Sequence, residues 1–307
     1  MKSKTFTFKG EDKKDIFVYS WLPDKKPVAA VQIAHGMAEH AARYERFAKA
    51  LTDAGFAVWA NDHRGHGKTA GALKNVGYLA DEGGWEFLIK DMKRLTDLIK
   101  KQNPGLPIFL FGHSMGSFLS RSYIARWGKE LKGVVLSGTN GDPGLLAKIG
   151  TLIAIWECKR KGKKAPSPLM TKLSFGEFNK PFKPARTEFE WLSRDPVEVD
   201  KYVADPYCGG VFTARFFYDM LLGTREIYQP DVIAKVPKKL PVYIFSGEKD
   251  PVGKNGKGVR ETYNAYKKAG IADVTIRLYK DGRHEMLNET NRNEVYRDVI
   301  EWLNKHL

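Results

Sequence analysis

Ile108-Phe109-Leu110-Phe111-Gly112-His113-Ser114-Met115-Gly116 is the stretch on which the reading of this chain turns. A run of consecutive apolar residues suits a strand buried on both faces. The run leads straight into a G-x-S-x-G pattern, and an amphipathic segment follows as far as Trp127. Strand, Gly-x-Ser-x-Gly and helix in that order make a nucleophile elbow. It is a strained turn that lifts the serine hydroxyl clear of the backbone. The flanking glycines lack Cβ atoms, so such a turn can close tightly on its neighbours. The pattern alone arises by chance; the strand before it and the helix after it give it weight. Ser114 is therefore the candidate nucleophile.

Working outward, strand and helix patterns alternate. Ile16–Trp21, Val28–Ala34 and Phe56–Ala60 read as strands, the last two as near-continuous apolar runs. Ala41–Ala54 and Trp85–Lys101 read as helices, ending at Gly55 and before Asn103-Pro104-Gly105. Val134–Leu136 is a further strand. After Ser137 the alternation breaks: residues 139–233 hold helical stretches, prolines and aromatics but no buried strand. It resumes with a strand at Val242–Phe245, a helix from Arg260 to Ala269, a strand at Val274–Tyr279 and a helix from Asn291 to His306. Such alternation predicts an α/β fold with a mainly parallel sheet flanked by helices. Residues 1–138 and 234–307 form its core, and 139–233 form an inserted helical cap.

Serine needs a base to take its proton and an acid to orient that base. On a sheet with this elbow they follow in the order serine, acid, histidine. Only His284 and His306 lie downstream of Ser114. His306 is penultimate and is expected to fray, so His284, just past the last strand, is the candidate base. The acid belongs after the preceding strand, in Ser246-Gly247-Glu248-Lys249-Asp250-Pro251. Asp250 is the first candidate and Glu248 the runner-up; Asp281 lies too near His284 and is expected to shape the turn. Two backbone donors for the oxyanion are expected at Met115, next to the nucleophile, and at Met37 in the loop after an early strand. His35 reads as structural.

The chain has 307 residues, 42% of them hydrophobic, and a formal charge of +15. It can bury a large core, and its basic surface favours anionic partners. Two cysteines, Cys158 and Cys208, match no disulfide framework or metal spacing and are expected as free, buried thiols. Asp62-His63-Arg64-Gly65-His66-Gly67 lacks a third ligand at suitable spacing, so a hydrogen-bonded turn is expected there and no metal. Gly253-Lys254-Asn255-Gly256-Lys257-Gly258 reads as a flexible basic loop. Neither an apolar leader nor a bilayer-length apolar run is seen, so the chain reads as cytoplasmic, with peripheral membrane contact open.

Four motifs carry a resemblance. They are His35-Gly36-Met37-Ala38-Glu39-His40 with Arg43-Tyr44, then Asp62–Gly67, Gly112–Gly116, and Gly282-Arg283-His284 with Glu289. On these the chain resembles the monoacylglycerol lipase and lysophospholipase group of α/β-hydrolases. The resemblance implies the α/β-hydrolase fold, a helical cap, no cofactor, and hydrolysis of an ester joining a fatty acyl chain to a glycerol-type alcohol. It also implies that Glu39, Arg43 and His113 lie at the polar end of the pocket. The cap wording Trp191–Pro196 and Asp205–Gly210 is similar to that of bacterial members named lysophospholipase. A lipid or other ester substrate is expected, with no nucleic acid, and the oligomeric state stays open. An aminopeptidase, an acyltransferase and a catalytically silent binding protein stay open as alternatives. In the cap, Leu145, Leu146, Ile149, Leu152, Ile153 and Trp156 form an apolar helical stripe, followed by the cations of Lys159–Lys164. The stripe is expected to pack over the pocket; resting on an anionic bilayer is the alternative.

Overall fold

The computed structural model describes residues 1–307. Eight strands form one sheet: β1 (Lys2–Lys9), β2 (Asp15–Leu22), β3 (Ala29–Ala34), β4 (Phe56–Asn61), β5 (Ile108–His113), β6 (Gly133–Ser137), β7 (Val242–Gly247) and β8 (Val274–Tyr279). Their spatial order is β1-β2-β4-β3-β5-β6-β7-β8. β1, β2 and β4 pair antiparallel, and every pair from β4 to β8 is parallel.

The helices before β7 are α1 (Glu45–Asp53), α2 (Gly67–Ala70), α3 (Gly84–Gln102), α4 (Met115–Trp127), α5 (Gly144–Lys161), α6 (Pro168–Phe175), α7 (Pro196–Ala204), α8 (Ala214–Glu226) and α9 (Pro230–Ala234). Two follow it, α10 (Lys257–Lys268) and α11 (Arg292–Lys305). Alternate residues of each central strand feed opposite faces, as the period-2 geometry of a strand requires. In β5, Ile108 and Leu110 join a core that includes residues of α3, α4 and α8, whereas Phe109 and Phe111 join one with α1 and α11. β7 divides likewise, with Val242 and Ile244 on the first side and Tyr243 and Phe245 on the second. Burial on both faces is why these strands read as unbroken apolar runs.

The segment between β6 and β7 contains α5 to α9 and no strand. Its first helix departs from expectation. Leu145, Leu146, Leu152 and Trp156 of α5 face solvent, with Leu146 80% exposed. The buried face is instead Ala147, Thr151 and Ala154. A Cβ on Gly150 would meet Leu221 of α8 at 3.1 Å, so α5 and α8 pack through a strip of small residues. Close helix approach on that strip turns the large apolar stripe outward, and it does not cover the pocket.

Three smaller expectations are also corrected. His306 does not fray: its ring bonds the Trp302 carbonyl at 2.7 Å and the Asp273 carboxylate at 2.9 Å. The glycine-rich loop is not free, because Gly253, Gly256 and Gly258 are buried and α10 begins at Lys257. Both cysteines are free, but half-buried. No helix is long and apolar enough to cross a membrane.

Candidate active site

The elbow lies between β5 and α4. Ser114 has φ 52 and ψ −121, and its N–H donates to the Ser137 carbonyl of β6 at 2.9 Å. A residue other than glycine at positive φ is strained, and such strain concentrates at functional sites. A Cβ on Gly116 would lie 2.0 Å from the Ala34 carbonyl oxygen. Only glycine lets α4 start this close to β3, so the glycine of the motif is a packing requirement. The Met115 N–H stands at the first position of α4, where a helix offers no internal acceptor.

β7 and β8 deliver the other two nominated side chains. Asp250 follows β7 and is fully buried. Its Oδ2 accepts from the Ser246 hydroxyl at 2.6 Å, and its Oδ1 from the Val252 N–H at 2.9 Å. His284 follows β8, with Nδ1 3.0 Å from Asp250 Oδ1. Val252 N–H can only donate, so Oδ1 is an acceptor for both groups, and His284 carries its proton on Nδ1. That tautomer leaves Nε2 free to accept. Burial alone would raise the Asp250 pKa, but the facing imidazole holds it below the ordinary carboxylate value. Burial would likewise lower His284, and Asp250 reverses this to a net rise. Glu248 points into solvent, so it is not the partner of His284. Asp281 has φ 57 and pairs with Lys249 at 2.8 Å, as expected of a turn residue.

His113 joins the two ends of the site. It precedes Ser114, and its ring lies 4.7 Å from that of His284, centroid to centroid. Burial first, and His284 second, hold His113 down to about 4, so it stays neutral. Its Nδ1 lies 3.1 Å from the Ser137 hydroxyl. The Ser114 hydroxyl makes no hydrogen bond and is the accessible member of the group. The loop after β3 closes over it. A Cβ on Gly36 would sit 3.2 Å from Ser114 Cβ and 2.8 Å from Glu39 Oε1. The Met37 N–H in this loop has no acceptor within the protein.

The polar residues implied by the resemblance also assemble here. Arg43 donates to Glu39 at 2.7 Å and grips Glu285 through two bonds of 2.8 and 2.7 Å. Glu39 further accepts from Gly36 N–H and the Tyr44 hydroxyl. With His113 and Asn288, these groups line a cavity of about 10 Å³, room for a single water. Burial would raise Glu39 and Glu285, yet Arg43 keeps both below the ordinary carboxylate value and therefore ionised.

The sequence reading missed the opposite wall. Trp191 lies against His284, with ring centroids 5.2 Å apart and planes tilted by 37°, and belongs to an aromatic cluster with Tyr202, Phe175, Phe178 and Phe189. Backbone bonds from His284 and Glu285 to the Trp191 and Leu192 carbonyls hold it there. Glu285 was missed too, although it adjoins His284; its link to Arg43 spans 242 positions, beyond any local pattern. His35, His63 and His66 pack together near this loop. Asp62 accepts from Ala41 and Lys68 N–H groups, so the short-spaced Asp-His-His stretch forms a bonded turn.

Residues 25–291 match the family model described as "Serine aminopeptidase, S33". A monoacylglycerol lipase of Mycolicibacterium smegmatis is 30% identical, over 94% of this chain and 92% of its own. Human monoglyceride lipase is 26% identical, over 94% and 87%. Among solved structures, a thermostable carboxyl esterase of Bacillus coagulans bound to glycerol superposes with a TM-score of 0.92 at 30% identity, covering 99% of each chain. The elbow, the buried Asp–His pair and these similarities converge: the chain is a hydrolase with the α/β-hydrolase fold and belongs to the family described as serine aminopeptidase, S33.

Proposed function

We propose that the chain hydrolyses esters of the acyl-glycerol type, monoacylglycerol or lysophospholipid, with Ser114 as nucleophile, His284 as base and Asp250 as its orienting acid. One observation carries the substrate class. His284 sits between a charged, hydrogen-bonded cluster (Glu39, Arg43, His113, Glu285) and an aromatic one headed by Trp191. An amphiphilic ester has the same two halves. The alcohol meets the polar cluster and the acyl chain meets the aromatic wall, which residues 139–233 supply as a cap.

Ser114 attacks the carbonyl as His284 Nε2 takes its proton, and the Met37 and Met115 N–H groups receive the oxyanion. Asp250 stabilises the imidazolium. His284 then protonates the leaving alcohol, and a water activated by the same imidazole releases the acid. The aminopeptidase alternative needs carboxylates free to bind a substrate ammonium. Glu39 and Glu285 are both engaged by Arg43, which argues against it. M. smegmatis and human relatives named for monoacylglycerol and monoglyceride support the lipid reading.

The exposed face of α5 supplies the route to lipid. Leu145, Leu146, Leu152 and Trp156 stand out beside the exposed cations Lys159, Arg160, Lys161 and Lys164. Apolar side chains enter the interface while each nearby cation adds about 1 kcal/mol on an anionic leaflet. A rate panel of monoacylglycerol, lysophospholipid, p-nitrophenyl esters and an aminoacyl-anilide tests the substrate class. The acyl-glycerol esters are expected to lead; a preference for the anilide overturns the proposal. Product analysis with excess alcohol separates hydrolysis from acyl transfer.

A further inference from the structure

A cluster of metal-ligating groups lies beside the loop that carries Met37. The His40 ring, the Asp205 carboxylate and the Cys208 sulfur have ligand atoms within 4.8 Å of one another. His40 Nε2 and Asp205 Oδ2 are 2.8 Å apart, although 165 positions separate them in the chain. No spacing motif could therefore reveal the group. We infer that His40, Asp205 and Cys208 form a binding site for a borderline-soft divalent cation such as zinc.

Imidazole, carboxylate and thiolate are the three donor types that zinc takes, at about 2.0–2.3 Å in tetrahedral geometry. Three protein donors leave the fourth position for water. Binding breaks the Cys208 S–H bond and forms a sulfur–metal bond, and that proton leaves to solvent. The His40 proton shifts to Nδ1 as Nε2 binds, and Asp205 binds as the carboxylate it already is. Carboxylates outnumber cations around the group: Asp62 faces His40 beside Lys68, and Asp205, Glu39 and Glu285 face Cys208 against Arg43. Burial and these carboxylates push the Cys208 thiol up, so it is protonated in the empty site and the metal must displace that proton.

The site spans two parts of the molecule. His40 belongs to the loop after β3, and Asp205 and Cys208 belong to the segment between β6 and β7. The same junction is already tied by the Ala38 carbonyl, which accepts from Gly209 N–H at 3.0 Å and the Tyr202 hydroxyl at 2.9 Å. A metal here clamps the segment onto the loop that carries the Met37 N–H. If that segment is the cap of the proposed function, the clamp slows substrate entry and product release. Metal binding itself does not rest on that reading.

Cobalt(II), a spectroscopic substitute for zinc, is titrated into the full chain without substrate. One equivalent should bind and produce the intense thiolate-to-cobalt absorption of a tetrahedral site. Cys208→Ser should abolish that absorption and weaken zinc binding at least about tenfold, as should His40→Gln, whereas Cys158→Ser should keep both. A wild-type protein without the absorption, or a Cys208→Ser variant that retains it, overturns the site. For the clamp, zinc should slow hydrolysis of a soluble ester about tenfold in the wild type and leave the Cys208→Ser rate unaltered by metal. Zinc that binds without slowing turnover overturns the clamp alone.

Discussion

Asp250→Asn changes one atom at the site and separates charge from geometry. In a Ser-His-Asp protease such a change costs about 10⁴ in kcat, because the imidazole takes the wrong tautomer. The local bonding here leads to a different expectation. Asp250 Oδ1 serves two donors, Val252 N–H and His284 Nδ1–H, whereas Oδ2 serves only the Ser246 hydroxyl. An amide oxygen therefore belongs at the Oδ1 position, since an NH₂ group there would face the Val252 N–H. Ser246 can rotate its hydroxyl to accept from the amide nitrogen instead. The Nδ1 tautomer of His284 survives, and the loss is the charge that stabilises its imidazolium. A unit charge about 4 Å away at an effective dielectric of 20 is worth about 4 kcal/mol, an upper figure for this term. A loss of about 3–4 kcal/mol corresponds to about 10²–10³ in kcat. The His284 pKa should also drop, because the carboxylate that raises it is gone. The assay is steady-state hydrolysis of a soluble p-nitrophenyl ester between about pH 5 and 9, with thermal denaturation to confirm folding. The wild-type acid limb should lie above His284's ordinary value, and the variant's limb should move to lower pH. A rate within a few-fold of wild type, or an unmoved limb, refutes Asp250 as partner of His284. A fall beyond about 10⁴ refutes the retained tautomer.

Three further outcomes follow from the same geometry. Burial holds His63 and His66 down to about 3 and His113 to about 4, and pushes His35 well below 6.5; His284 alone is raised. His284 is protonated in both states at low pH, so the unfolded chain binds about four more protons than the folded one once pH falls well below about 6, and stability should drop by about 5 kcal/mol per unit there; urea midpoints that do not fall between pH 7 and about 5.5 contradict this. Glu289 is fully buried and accepts from Arg194, from the backbone N–H groups of Arg194 and Arg283, and from Thr290. Removing it in Glu289→Ala orphans these donors and should destabilise by about 3–5 kcal/mol in denaturant titration. The pair Leu146→Glu and Leu152→Glu, both on the exposed face of α5, should leave stability within about 0.5 kcal/mol and soluble-ester turnover intact. It should reduce hydrolysis of the same acyl class in anionic liposomes, and equal liposome rates would remove the membrane reading.

The legible parts of this protein were those governed by local periodicity. β3, β5 and β7 are buried on both faces, so their apolar runs need no knowledge of the rest of the chain. Gly112–Gly116 was legible because a strained elbow demands small residues at fixed offsets. β1 went unread: Phe6 and Phe8 alternate with polar residues, but edge strands bury only one face and carry a weak signal. The α5 orientation was misjudged for a different reason. A helix with a Leu stripe and a small-residue strip offers two faces for packing, and its neighbour α8 selects the strip. Nothing in the helix itself names that neighbour. Glu285, Trp191 and the His40–Asp205–Cys208 cluster share this limit, because each acquires meaning only through residues far along the chain.

Ser114 carries the proposed chemistry. Incubation with a fluorophosphonate probe, followed by peptide mapping, asks which side chain is an activated nucleophile. The expected result is one label per chain, on the peptide carrying Gly112–Gly116 at Ser114, and none on a folded Ser114→Ala variant. A wild-type chain that stays unlabelled, or a label that persists on Ser114→Ala, contradicts it.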